Sequence, residues 1–255
     1  MAETTKPSGA QAVDRALDVL ELFEEPDARL TITEIAAALG VHRSTASRMV
    51  AVLERHRLLE HDGRSYTLGL GLVSLAGHVL NRFPVRARAT DILRDLRDAT
   101  GETVYLGVPD QDELIYIDQA PSPDVRLNVD WVGRRQKLTA GITGAVIVAF
   151  APAETVIELL RAGRSDGDPA AQHLDAAELA RIRRTGYLAR YDDPGSHWAV
   201  VAVPIRDRLG EVVAALCLDA PHHRVNQSHF DETLVPSTTR AGAHISERLG
   251  YTGQR

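Results

Sequence analysis

Residues 30–53, LTITEIAAALGVHRSTASRMVAVL, constrain the fold more than any other stretch. Thr31 and Glu34 have capping-box spacing, which predicts a helix starting there and running through Ile35, Ala36 and Leu39. Gly40 supplies the residue with positive φ that closes it, and Val41 is the apolar turn residue. A second helix is predicted from about His42 to Arg55. Ala46, Met49, Val50 and Leu53 fall at helical spacing and make one buried stripe. Ser44, Ser47, Arg48 and Arg55 lie on the other side, with Arg43 and Thr45 flanking them. A short polar face of this kind, basic at its start, is what a recognition helix presents to the major groove. The plainer reading is a helical hairpin with a solvated face.

The next residues favour the first reading. Residues 57–68, RLLEHDGRSYTL, predict two short strands about an Asp-Gly turn. A helix-turn-helix followed by a β-hairpin is a winged helix, and Arg64 at the wing tip is placed to touch phosphate or the minor groove. Between Gly40 and Tyr66, five arginines face three acids, and the whole chain carries −6. Only a contact face needs to be basic in a DNA-binding protein, so the motif carries the argument and the charge does not.

The 255 residues suffice for one large or two ordinary domains, and 44% hydrophobic with 25% charged residues is a globular balance. The lone cysteine, Cys217, excludes an internal disulfide, and no Cys/His metal pattern is present. The N-terminal residues have no apolar run of the signal-peptide type, and no stretch is long and apolar enough to span a membrane. A cytoplasmic protein is the expectation.

Residues 1–10 read as a disordered arm. A first helix follows, with Val13, Ala16, Leu17, Leu20 and Phe23 as its stripe. With the two helices and the wing it makes a first domain over residues 11–70. Residues 71–85 read as a linker helix, with Leu72, Leu75, Ala76 and Val79 in a stripe, the preceding glycines as hinge points and Pro84 as its end. Residues 86–255 form the second domain. A helix over Arg86–Thr100, capped by Gly101, is followed by a hairpin of Thr103–Val108 and Leu114–Ile117 and a third strand at Val125–Val129. Leu138–Arg161 is expected to be mostly helical, entered through Thr139-Ala140-Gly141, and Ala176–Thr185 is another helix. Strands at Val200–Pro204 and Val212–Leu218 lead to a final helix from near Ser228. This is an α+β arrangement, an antiparallel sheet covered by helices.

The second domain carries no nucleophile elbow, phosphate-binding glycine loop, zinc-protease motif or dinucleotide fingerprint. Cys217 lies in an apolar run, where a cysteine usually serves as a small buried hydrophobe. No catalytic residue, metal or cofactor is expected.

The segments VDRALDVLELF, LTITEIAAALGVHRSTASRMVAVLERHRLLE, YTLGLGL, GETVYLGV, YIDQ and VVAVPIRDRLGEVVAALCLDAPHHR resemble the IclR-type bacterial transcriptional regulators over about Val13–Leu249. The resemblance implies a GAF-like effector-binding second domain and a linker helix that pairs two DNA-binding domains. It also implies an effector site at Leu138, Ile142, Thr143, Val200, Cys217 and Asp219. Trp198, Trp131 and His197 are further candidates, against core packing for the tryptophans. Alternation along a strand places Cys217 and Asp219 on one face. Three departures stand out. Gly144-Ala145 replaces a Gly-Lys pair found in many relatives, Asp192-Asp193 stands where a Glu is found, and Asp219 occupies a position where a small uncharged residue is common. An ionised Asp219 repels a carboxylate. The expected effector is therefore a small organic molecule with N–H or O–H donors, such as an aromatic acid derivative, an amide, a hydrazide or a phenol.

The expectation is a ligand-responsive regulator, acting as a repressor of a catabolic operon. It would bind double-stranded DNA at a palindromic operator as a dimer or a dimer of dimers (tetramer). Arg43, Ser44, Thr45, Ser47 and Arg48 would meet bases or phosphates, and Arg64 would serve the wing. Two alternatives stay open: a small-metabolite enzyme with an appended winged-helix regulatory domain, and a helix-turn-helix that only mediates dimerisation.

Overall fold

The computed structural model describes residues 8–23, 27–124, 130–165, 174–191 and 197–253. The chain divides into two compact units, one reaching Arg82 and the other beginning at Phe83.

The first unit contains α1 (Ser8–Glu21), α2 (Ile32–Ala38), α3 (Arg43–Arg55), β1 (Leu59–His61), β2 (Tyr66–Leu68) and α4 (Gly71–Leu80). Each start and stop has a local cause. The Thr31 hydroxyl accepts the Glu34 N–H at 3.3 Å, and the Glu34 carboxylate accepts the Thr31 N–H at 2.8 Å, completing the capping box. Gly40 takes φ +61, and the Val41 N–H returns to the Ala36 carbonyl at 3.0 Å, which ends α2. The strands pair antiparallel with Leu59 opposite Leu68 and His61 opposite Tyr66. Leu30 adds a bridge to Tyr66, tying the chain before α2 to the wing. Val19, Phe23, Ile35, Ala36, Ala46, Val50, Leu53 and Leu59 form the core.

Two expectations change here and a third gains a detail. The last three residues of the expected arm, Ser8–Ala10, belong to α1, and residues 1–7 lie outside the described residues. The α1 stripe is rotated: Val19 is fully buried, whereas Val13 and Leu17 are exposed. Only the last turns of α1 have α3 to pack against. Gly69 and Gly71, at the start of the expected linker helix, are also close-approach positions. A β-carbon on Gly69 or Gly71 would lie 2.4 or 2.5 Å from the Arg57 carbonyl oxygen.

The second unit contains a six-stranded antiparallel sheet of β3 (Thr103–Asp110), β4 (Glu113–Ala120), β5 (Arg135–Lys137), β6 (Leu188–Arg190), β7 (Trp198–Arg206) and β8 (Val212–Pro221). The order across the sheet is β5-β4-β3-β8-β7-β6. Helix α5 (Pro84–Thr100) and the C-terminal α9 (Val235–Arg248) pack on one face. A π-helical turn, Phe230–Leu234, leads into α9. On the other face lies α6 (Ile142–Phe150), with α7 (Ala153–Ser165) and α8 (Ala176–Thr185) contributing to the same core.

Pro84 opens α5 at its first turn instead of closing the linker helix, a position where its missing N–H costs nothing. Helix α4 has already stopped at Leu80, with Asn81 as its C-cap. Strand β3 runs on past Val108 to include Pro109. Its pairing to β8 ends at Gly107, so Pro109 faces no acceptor on that side. The mostly helical stretch expected over Leu138–Arg161 is two helices, the first starting at Ile142 straight after Gly141 and the second at Ala153. The short strands β5 and β6 are additions to the sequence reading. The expected strand at Val125–Val129 lies outside the described residues.

Candidate nucleic-acid interface and effector site

Helix α3 turns Ala46, Val50 and Leu53 inward. That leaves Arg43, Ser44, Ser47 and Arg48 exposed, with Thr45 half-buried. The helix begins with a histidine cap. The His42 Nδ1 accepts the Ser44 N–H at 3.3 Å and lies 2.9 Å from the Ser44 hydroxyl. One of the orphan donors at the helix start is thus satisfied. The wing tip is shaped by Asp62. Its Oδ1 accepts the N–H groups of Arg64 at 3.1 Å and Ser65 at 2.9 Å. Those donors hold the Asp62 carboxyl well below the usual carboxylate range. Arg29 pairs with the same carboxylate. Neither His42 nor Arg29 was singled out from sequence, since histidine is an uncommon cap and Arg29 meets the wing only after folding.

In the second unit the register assembles the other set of candidates. Cys217 stands opposite Tyr105 on β3 and opposite Ala202 on β7. Asp219 stands opposite Thr103 and Val200. Side chains at such paired positions share a face. Leu138, Ile142, Val200 and Cys217 lie in one buried cluster, with Trp198 and Trp131 packed against it. Thr143, in the first turn of α6, is buried, and its hydroxyl acts against the upward pKa shifts of both Cys217 and Tyr116. The Cys217 thiol donates to Asp219 Oδ1 at 3.3 Å. The predicted effector residues are therefore brought together on one face. His197, exposed with φ +57, precedes β7. Asp192-Asp193 lie outside the described residues.

Three aromatic rings complete this face. Tyr105 and Tyr116 have centroids 5.8 Å apart, Tyr116 and Trp131 5.4 Å, and Tyr105 and Trp131 6.3 Å, all edge to face. The Trp131 backbone N–H is accepted by Gln119 Oε1 at 2.8 Å, and the Tyr116 hydroxyl donates to Gln136 Oε1 at 3.3 Å. Tyr105 and Tyr116 were missed from sequence. The only signal was their strand alternation, which means nothing before the β3–β8 register is known.

The electrostatics disfavour nucleophilic chemistry. Burial, reinforced by the Asp219 charge, pushes the Cys217 thiol far up and keeps it protonated. Burial likewise raises Tyr105 and Tyr116 well above the ordinary tyrosine range. Among the described residues, no cluster of three or more His, Cys, Asp or Glu side chains could hold a metal ion. None of the described helices is long and apolar enough to cross a membrane.

A winged helix followed by a helix-covered antiparallel sheet with a buried polar cluster is the architecture of a DNA-binding regulator with an effector domain. The chain belongs to the IclR family of bacterial transcriptional regulators: the IclR helix-turn-helix domain matches residues 12–63, and the bacterial transcriptional regulator IclR C-terminal domain matches residues 77–247. It is 29% identical to the HTH-type transcriptional regulator XynR of Escherichia coli, over 94% of this chain and 98% of that one. It is 30% identical to the glycerol operon regulatory protein of Streptomyces griseus, over 94% and 96%. The crystal structure of Thermotoga maritima IclR superposes with a TM-score of 0.76 at 26% identity, covering 95% of this chain and all of that one. An IclR homologue of Microbacterium hydrocarbonoxydans, crystallised with 4-hydroxybenzoate, shares the fold with a TM-score of 0.77 at 24% identity, over 93% and 98%.

Proposed function

We propose that this protein is an effector-responsive repressor of a catabolic operon. It binds a palindromic operator as a dimer or a dimer of dimers and works in the cytoplasm. The exposed α3 face carries this reading. Arg43, Ser44, Thr45, Ser47 and Arg48 would meet base edges and nearby phosphates, and Arg64 would reach from the wing. Two-fold pairing is supported by apolar surface that the first unit does not bury on itself. Leu70 and Val73 are 70% and 65% exposed, Leu75 and Val79 are also exposed, and α4 has no buried residue. Residues 71–85 would act as the linker between domains 11–70 and 86–255.

The effector would occupy the face formed by Leu138, Ile142, Thr143, Trp198, Val200, Cys217 and Asp219. To regulate, it must bind the DNA-competent and incompetent arrangements with different affinity. The protonated, buried thiol of Cys217 argues for binding rather than turnover at this site.

In vitro selection from random duplexes tests the operator claim. The expected product is a pair of inverted half-sites separated by about one helical turn, roughly 10 bp centre to centre, or a multiple of it. Selection of no motif, or of a single unpaired half-site, would contradict the dimeric regulator. Turnover of a small metabolite by the whole chain would favour the enzyme alternative.

A further inference from the structure

Two donors converge on one atom at the start of α3. His42 is the N-cap, with extended backbone at φ −68 and ψ 143, and its carbonyl accepts the Thr45 and Ala46 N–H groups at 2.8 and 3.2 Å. Its Nδ1 lies 3.3 Å from the Ser44 backbone nitrogen and 2.9 Å from the Ser44 hydroxyl oxygen. A backbone N–H can only donate, so Nδ1 is the accepting nitrogen and the proton of the neutral ring sits on Nε2. With no hydrogen on Nδ1, the 2.9 Å contact has one possible direction: the Ser44 hydroxyl donates to the ring.

Ser44 is exposed, as are Arg43, Ser47 and Arg48 of the same helix. A free serine hydroxyl suits any partner, because its proton turns to donate and its lone pairs accept. Here the proton is committed to His42, and only the lone pairs remain for a partner. Phosphate oxygens and the N7, O6 and O4 atoms of bases are themselves acceptors, so they match such a hydroxyl badly. In the major groove the donors are the N6 amino group of adenine and the N4 amino group of cytosine. Serving an acceptor means turning the proton away from Nδ1, and the loss of one neutral hydrogen bond is a bias of roughly fivefold.

We propose that His42 sets a base preference of the recognition helix through Ser44: by holding the hydroxyl proton it makes Ser44 an acceptor, which selects an exocyclic amino group, adenine N6 or cytosine N4, in the major groove. This rests on the reading of α3 as the DNA-contacting face. Ser44 is the contacting residue and His42 the positioning one. The pair narrows what Ser44 does on that face, since a hydroxyl held in this way reads a base and does not clamp a phosphate.

Base analogues test it, with the full chain and a duplex recovered by in vitro selection. Fluorescence-anisotropy titrations of single-base variants, wild type against Ser44→Ala, identify the base pair that Ser44 reads. At that pair the amino group is deleted by purine in place of adenine or 2-pyrimidinone in place of cytosine. An acceptor is deleted by a 7-deazapurine, or by 5-methyl-2-pyrimidinone in place of thymine. Deleting the amino group should weaken wild type roughly fivefold and leave Ser44→Ala unchanged, whereas deleting an acceptor should affect both proteins alike. His42→Ala frees the hydroxyl, so the dependence on the amino group should fall by about twofold or more. His42→Asn should keep the wild-type pattern, because asparagine caps well and its Oδ1 can take both donors. Thermal melts report whether each variant is folded, and His42→Gly replaces His42→Ala if the latter does not melt cooperatively. A Ser44-dependent loss on deleting an acceptor, a wild-type pattern persisting in His42→Ala, or no base position altered by Ser44→Ala would overturn the proposal while leaving the α3 reading in place. Binding with no sequence preference would remove that reading, and the proposal with it.

Discussion

Gly144 and the carbonyl of Leu138 are in such close approach that a β-carbon on Gly144 would lie 2.2 Å from the Leu138 oxygen. The obstacle is backbone, which cannot swing aside, and both residues lie at the proposed effector face. Gly144→Ala should therefore destabilise the second unit by about 3 kcal/mol or more, at or beyond the upper end of ordinary overpacking. Gly77, in α4, meets nothing within 4 Å, so Gly77→Ala should stabilise by roughly 0.5–1 kcal/mol through helix propensity. Denaturant melts of the two variants check this contrast. Equal, small effects would contradict the packing.

The wing should resist acid. Asp62 has its carboxyl pKa lowered first by the Ser65 and Arg64 N–H groups, with Arg29 adding to the effect. A depressed folded pKa means the ordering contribution is complete above the unfolded aspartate value of about 3.9 and fades only as pH falls through the lower folded value. The amide signals of Gly63, Arg64 and Ser65 should hold their positions from pH 7 down to about 4 in an NMR titration. Movement centred near pH 5 or above would contradict the turn. Asp62→Ala should loosen the wing at every pH.

The apolar face of α4 should be where two copies meet. A buried leucine contributes roughly 1.5–3 kcal/mol, so Leu75→Asp should raise the dissociation constant of the dimer at least tenfold. Sedimentation velocity over a concentration series reads this directly. An unchanged oligomer would place the interface elsewhere.

Much of the first unit was legible because its signals are local. Thr31 with Glu34, Gly40, and Asp62 with Gly63 each act within four residues, and a window of that size suffices to read them. Long-range packing was not legible. Val13 and Leu17 have the same periodicity as buried residues, but both are exposed, while Val19 meets the core. Pro84 marks a boundary in either direction, and only the turn beyond Asn81 shows that it opens a helix. Strands β5 and β6 are three residues long, too short for a side-chain pattern, so pairing with β4 and β7 defines them. The effector face was half visible. Cys217 and Asp219 share a face by strand alternation alone, whereas Tyr105 joins them only through the antiparallel register of β3 with β8. Tyr116 follows through a bulge between Leu106 and Gly107 that no pattern announces.

Wing and recognition helix should differ in how they contribute. Arg64, at the tip of the wing, is expected to touch phosphate. Arg64→Ala should then weaken binding evenly across operator variants and lower the salt slope by about one. A change of sequence preference instead would make Arg64 a base-reading residue.

The central claim is that the exposed face of α3 reads DNA sequence, and Arg48 tests it most directly. The measurement is a fluorescence-anisotropy titration of the duplex immediately upstream of the protein's own coding sequence, together with any half-site pair recovered by selection, at two salt concentrations. Wild type should bind one of these duplexes far above a scrambled control. Arg48→Ala should lose roughly 1–3 kcal/mol and relax specificity at one base position. Equal, weak and steeply salt-dependent binding by both proteins, with no preference over the scrambled duplex, would contradict the account.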